Sequence, residues 1–189
     1  MLGTIVNVIT VVAGGAIGLA LNKKLPDRFV KIFFQVVGLF TFFLGISMAL
    51  KTTHELHLIM ALISGALIGE ILNLEKQVEK MSNILKTKLK IGGEKFTDGL
   101  LTAFLLYCMG SLTILGSIEE GMGGSSRLLF IKSLMDGISS IALASGLGIG
   151  VLFSAIPLLI YQGSLTLLAA GFGEFVPTIV VSELSATGG

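Results

Sequence analysis

Six apolar runs, at residues 2–21, 32–50, 57–73, 98–116, 129–153 and 155–171, follow one another along the chain with polar connections between them. About 20 such residues make a helix long enough to cross the hydrocarbon core of a bilayer. The pattern therefore predicts an all-α fold, a polytopic transmembrane helix bundle with six complete spans. A seventh run begins near residue 176 and stops at residue 189, about 21 Å at helical rise, so it is expected as a partial seventh span. The fifth and sixth spans are divided near Pro157, because proline breaks or kinks a continuous helix. Composition supports the same solvent: 53% of residues are hydrophobic and 13% charged, with a mean hydropathy of +0.93, where soluble domains carry roughly a quarter charged residues. Too few polar side chains remain to cover a water-facing surface, and the lipid bilayer becomes the first expected partner. The chain, 1–189, is read as a single transmembrane domain.

Charge excludes some functions and orients the rest. The net charge is +1, without an Arg-rich arm or interleaved aromatics, so nucleic acid is not an expected partner. Lone Cys108 excludes an intrachain disulfide and reads as a small packing residue. The N-terminal MLGTIVNVIT lacks a basic n-region, and NKKLPDR follows it, so this run reads as a retained first span and not a cleaved signal. Lys23, Lys24, Arg28 and Lys31 fall in the first connection and Lys76, Lys80, Lys86, Lys88, Lys90 and Lys95 in the third. The second and fourth hold only Lys51 and Arg127. Basic residues stay in the cytoplasm, which predicts an outside N-terminus and a multi-pass protein of the cytoplasmic (inner) membrane. Leu74, Val78, Met81, Leu85 and Leu89 recur at helical spacing, so 74–95 is expected as a cytoplasmic amphipathic connector, lying on the inner leaflet or solvated.

Small residues recur four apart on three predicted spans: Gly14 and Gly18, Gly65 and Gly69, Gly146 and Gly150. Glycines at this spacing let helix backbones approach closely in lipid, so all six are read as helix-packing positions. SGALIG matches SGLGIG, and LGISMAL rhymes with MGSLTIL, which points to an internal repeat of helix pairs. GLGIG is not a dinucleotide loop, since no strand precedes it and the glycine spacing is wrong.

The run from residue 130 to 155 keeps two ionisable side chains, Lys132 and Asp136, one helical turn apart. They are expected about 5 and 10 Å below the outer boundary. One reading is a self-neutralising pair that snorkels to the surface. The other follows from polar company at similar depth on other spans: Asn7, Ser111, Thr113, Gln162 and Glu183. Such groups avoid lipid and are expected to converge on an outward-facing polar pocket. With one lysine and two acids, that pocket favours a small cation, an amine or a zwitterion. His54, Glu55 and His57 are too sparse to read as a metal site. No HExxH, GxSxG or Ser-His-Asp arrangement occurs, so neither an enzyme, a cofactor nor a metal centre is expected.

Four motifs, GSI-x-x-G from Gly116, KSLMDGISS from Lys132, YQGSLTLLA from Tyr161 and SELSATGG from Ser182, carry a family resemblance. In this order they resemble the bacterial membrane proteins grouped as domain of unknown function family 554, the YqgA-like or YdfK-like proteins, across the whole chain. The resemblance implies a multi-pass cytoplasmic membrane protein of about seven helices and supplies no substrate. The functional expectation is a transporter or channel-like protein for a small polar or cationic solute. The alternative is a non-transporting scaffold that self-associates through its GxxxG faces, and a homo-oligomer is expected in either case.

Overall fold

The seam between the first helix and the fifth long one organises the molecule, and its composition is the inverse of a soluble core. The computed structural model describes residues 1–21, 25–50, 52, 54–73, 94–108, 110–172, 183 and 186. Residues 74–93 of the expected connector lie outside the described residues, as does most of the expected seventh span.

Among the described residues the secondary structure is entirely helical: α1 (Leu2–Ala20), α2 (Asp27–Ala49), α3 (Glu55–Ile71), α4 (Glu94–Cys108), α5 (Ser111–Gly121), α6 (Arg127–Leu147), the short α7 (Gly150–Phe153) and α8 (Ala155–Phe172). On α1 the buried face reads Thr4, Asn7, Val11, Gly14 and Gly18, alternating four and three residues, the spacing of a helix seam. Its exposed face carries Ile5, Ile9, Val12 and Ile17. On α6 the buried face reads Leu129, Lys132, Ser133, Asp136, Gly137, Ser140 and Ala144. Small and polar residues thus face inward and large apolar ones outward, as lipid-solvated helices require.

Glycine sets how closely α1 and α6 approach. A Cβ on Gly14 would fall on the carbonyl oxygen of Gly137, and one on Gly18 would come within 2.5 Å of the carbonyl oxygen of Ile141. Contacts run Gly3 to Leu129, Asn7 to Asp136, and Gly18 to Ile141 and Ala144, both numbers rising together, so the two helices are parallel. By the same test α8 is antiparallel to α1, pairing Thr4 with Thr166 and Asn7 with Gln162. Around this core Gly150 of α7 lies against the carbonyl oxygen of Phe96, and Gly121 of α5 against that of Thr166. Val11, Ala103, Tyr107, Cys108, Ala144, Val151 and Leu158 fill the apolar centre.

Helices α2 and α3 are much less engaged. Phe42, Phe43 and Leu39 on α2 and Leu56, Met60 and Leu67 on α3 are exposed. Among the described residues, no neighbour comes within 4 Å of a Cβ placed on Gly65. Gly146 is exposed and Gly69 half-buried, so the pairs Gly65/Gly69 and Gly146/Gly150 do not repeat the continuous seam of Gly14 and Gly18.

Two expected spans are interrupted. The run at 98–116 is not one straight helix: α4 and α5 turn through 58° between Cys108 and Ser111, with Gly110 in an extended conformation. The break expected near Pro157 lies at Gly148, whose φ of +80° suits glycine and strains other residues. Pro157 instead sits in the first turn of α8, where its missing N–H costs no helical bond. Residues 2–20, 28–49, 127–147 and 150–171 are long and apolar enough to cross a membrane; the bent α4–α5 pair brings these candidates to five, and α3 contributes a shorter apolar helix, 58–71.

Candidate functional site

Where α1, α6 and α8 meet, the chain buries an ion pair. Lys132 donates from Nζ to Asp136 Oδ2, and the two residues are 4% and 8% exposed. The pair does not snorkel to a surface. A charge withdrawn from water needs a partner and hydrogen bonds to its remaining atoms, and neighbouring helices supply some of them. Asn7 of α1 donates both amide hydrogens, one to Asp136 Oδ2 at 3.1 Å and one to Gln162 Oε1 at 2.9 Å. Gln162 Nε2 lies 3.4 Å from Thr4 Oγ1, which meets Thr166 Oγ1 at 3.3 Å. Asn7, Gln162 and Thr4 are fully buried. Asn7 Oδ1 is buried with no hydrogen-bond partner among the described residues.

The bent helix closes the other side. Lys132 Nζ stands 6.0 Å from the centre of the Tyr107 ring, a cation–π distance, and Tyr107 Oη and Ser140 Oγ are 2.7 Å apart. Ser140 also donates to the carbonyl oxygen of Asp136 at 2.8 Å. Thr113, just past the break, donates to the carbonyl oxygen of Tyr107 at 2.8 Å. It thereby ties α5 back onto α4 and satisfies a carbonyl that the bend leaves without a helical partner.

Of the seven residues read from the sequence as one pocket, the structure brings Asn7, Lys132, Asp136 and Gln162 into direct contact. Thr113 is joined to them through Tyr107. Ser111 is exposed at the start of α5. Glu183 accepts a hydrogen bond from Thr52 Oγ1, ahead of α3. The four central side chains join in a chain of hydrogen bonds, Lys132 to Asp136, Asp136 to Asn7 and Asn7 to Gln162.

Sequence reasoning missed a second buried carboxylate. Glu120 Oε1 accepts from the backbone N–H of Gly3 at 2.6 Å and from Ser126 Oγ at 2.7 Å, and Oε2 lies 2.9 Å from the Met1 amino nitrogen. A carboxylate here satisfies a free donor of the first turn of α1 and faces the positive end of its dipole. The fourth span was expected to end at 116, which left Glu120 in a connection. Its signal was spacing: Leu112, Gly116 and Glu120 lie four apart on one face of α5, and all are buried. At the far end of α6, Gly18, Lys95, Phe96, Ser145 and Gly148 border a cavity of about 400 Å³.

Apolar helices of spanning length, with their polar and small residues turned inward, define a helical membrane protein. The family model described as "Protein of unknown function (DUF554)" matches residues 2–189, and the chain belongs to this family. It is 34% identical over 193 residues to "Uncharacterized membrane protein YdfK" of Bacillus subtilis (strain 168), covering all of this chain and 82% of that one. It is 32% identical over 194 residues to "Uncharacterized protein YqgA" of Escherichia coli (strain K12), covering all of this chain and 83% of that one. No solved structure matches.

Proposed function

We propose that the chain is a secondary transporter, or a channel-like protein, that moves a small cationic or polar solute through the seam between α1, α6 and α8. The observation that carries this reading is the buried Lys132–Asp136 pair, set between apolar helices and tied to polar groups on α1 and α8. Ionisable groups inside membrane helices are costly and mark substrate or ion pathways. The interruption between α4 and α5 lies beside that pair, through Tyr107, and broken helices at ion sites recur in secondary transporters. A polar approach from each end adds support: Thr113, Ser117 and Glu120 follow the buried face of α5, and the cavity bordered by Lys95 and Ser145 opens at the other end. No enzymatic role is proposed.

The topology that goes with this reading has six spans with the N-terminus outside, in the cytoplasmic membrane. Parallel packing of α1 and α6 requires an odd number of crossings between them, which α2, α3 and the bent α4–α5 pair supply if each crosses once. Small residues at the same spacing in SGALIG and SGLGIG are compatible with internal repeats of the kind transporters use. The Glu120 end is then external and the Lys95 end cytoplasmic.

A second reading, self-association as a scaffold, is favoured by α3, whose Gly65 meets nothing within 4 Å among the described residues. The experiment that separates the two is reconstitution into liposomes with a panel of alkali cations, amines and amino acids. Transport predicts a flux that Asp136→Asn abolishes in the protein that still elutes folded in detergent. A scaffold predicts no flux with any solute, and loss of oligomers on Gly65→Leu.

A further inference from the structure

We propose that the Lys95 end of the bundle binds one anionic phospholipid of the phosphatidylglycerol kind, its phosphate on Lys95 and one acyl chain along α1. Two cavities carry this site. The first, of about 400 Å³, is the one bordered by Leu19, Lys95, Ser145, Gly148 and Ile149. The second, of about 330 Å³, is walled by apolar side chains, among them Val8 and Val12 of α1, Leu152 and Phe153 of α7, and Ile156 and Leu159 of α8. Leu19, Val12 and Val8 are seven and four residues apart, which places them on one face of α1, and Ile149 precedes Leu152 and Phe153 by one helical turn. The same two walls therefore lead from the polar cavity into the apolar one. Gly15 lies on that face between Val12 and Leu19 and has no side chain to bar the way; Leu152 Cδ1 packs 3.0 Å from the place of its Cβ.

Charge and shape select the ligand. Lys95 is the charged side chain bordering the first cavity, and it is exposed. It stands with Phe96 in the first turn of α4, where backbone N–H groups and the helix dipole favour an anion. The two connections that meet this end, after α1 and before α4, are the two rich in basic residues, and basic sites on the cytoplasmic side of membrane helices bind anionic headgroups. On the opposite wall α6 stops at Leu147, so the carbonyls of its last turn lose their helical donors; Ala144 regains one from the Gly148 N–H at 2.9 Å. A phosphate esterified to glycerol matches both walls, with a negative charge for Lys95 and hydroxyl donors for free carbonyls.

The apolar groove supplies the second half of the match. From Leu19 to Val8 the helix rises about 16 Å, roughly the hydrocarbon depth of one leaflet, so the groove takes one acyl chain while the other stays in the bilayer. Ile149, Phe153 and Ile156 along its rim are exposed, which leaves it open to lipid from the side. Lipid binding here is independent of transport, although a headgroup at Lys95 would share the cytoplasmic approach.

The test uses purified full-length protein stripped of lipid in a nonionic detergent. Dioleoylphosphatidylglycerol should raise the melting temperature more than an equal amount of dioleoylphosphatidylcholine, and native mass spectrometry should find one phosphatidylglycerol held per chain. Glycerol phosphate, which has the headgroup chemistry and no chain, should give neither effect. Lys95→Gln should weaken phosphatidylglycerol binding about fivefold, the usual worth of one basic residue near a membrane surface, while Lys31→Gln, at an exposed lysine of α2 that does not border the cavity, should keep it. Val12→Trp should fill the groove and remove the advantage of dioleoyl over short-chain phosphatidylglycerol. Equal shifts with phosphatidylglycerol and phosphatidylcholine in the wild type overturn the inference, whether or not any variant folds. A rise that glycerol phosphate reproduces also overturns it, because a site for free phosphate then accounts for Lys95. Solute flux that needs Asp136, with no preference for phosphatidylglycerol in binding, overturns it while the transport reading stands. Phosphatidylglycerol-specific binding without flux of any solute supports it and removes the transport reading.

Discussion

Gly14 of α1 and Gly137 of α6 meet backbone to backbone, with the space of a side chain at Gly14 occupied by the carbonyl oxygen of Gly137. Asn7 and Asp136 can share a hydrogen bond two turns nearer the start of α1 only because the helix axes come this close. Gly14→Leu should therefore push α1 and α6 apart, at a cost of about 1–3 kcal/mol or more, read as a lower melting temperature in detergent. Gly65→Leu, with no neighbour within 4 Å among the described residues, should leave the melting temperature of the monomer unchanged. Equal losses in the two variants would overturn the assignment of the α1–α6 seam.

Removing one member of the buried ion pair strands the other. Lys132→Met leaves the Asp136 carboxylate with Asn7 as its neighbour in the cluster, and losses of about 3–5 kcal/mol are typical when a buried pair is broken. Lys132→Met combined with Asp136→Leu should recover much of that loss. Thermal melts of both single variants and the double variant measure the coupling; simple additivity would show that the two groups act independently.

Glu120 holds the first turn of α1 by accepting from the Gly3 N–H. Glu120→Ala should cost about 1 kcal/mol, the usual loss of a cap, and should speed amide hydrogen exchange in residues 2–6 before other parts of α1. Glu120→Gln keeps an acceptor oxygen and should protect the same amides better than alanine. Unchanged exchange in both variants would show that α1 begins without help from α5.

Orientation is tested by labelling. With Cys108 replaced by Ala, a cysteine introduced at Ser82 in the third connection should react with a membrane-impermeant maleimide only after cells are opened. Labelling of intact cells would reverse the proposed topology and with it the assignment of the Glu120 end to the outside.

Helices α1, α2, α3, α6 and α8 were legible as apolar runs, because water disfavours an uninterrupted apolar stretch of about 20 residues and a bilayer accepts it. The break at Gly110 was not legible, since glycine is common in membrane helices and only the bend shows which one interrupts. Pro157 misled for the opposite reason: a proline in a first turn costs no hydrogen bond. Within the site, Asn7, Lys132, Asp136 and Gln162 could be found by depth, because amides and charges have no cheap alternative in lipid. Thr4, Thr166, Ser140 and Tyr107 could not. A threonine or serine in a helix satisfies itself on its own backbone, as Thr166 and Ser140 do at 3.0 and 2.8 Å, so its sequence position says nothing about a second partner. Ser111 and Glu183 shared the expected depth but not the position around the bundle, which depth alone does not determine.

The α1–α6 seam joins residues more than 120 positions apart, and that separation orders events during synthesis. At about 5–20 residues per second, Asn7 is made roughly 6–26 s before Asp136 and roughly 8–31 s before Gln162. During that interval Asn7 sits in a helix that has entered or approached the bilayer with its amide unmatched, while α2 and α3, which offer the seam little contact, pass by. The polar seam is therefore completed late: until residues 136 and 162 are made, the Asn7 amide lacks the two partners it has in the finished molecule.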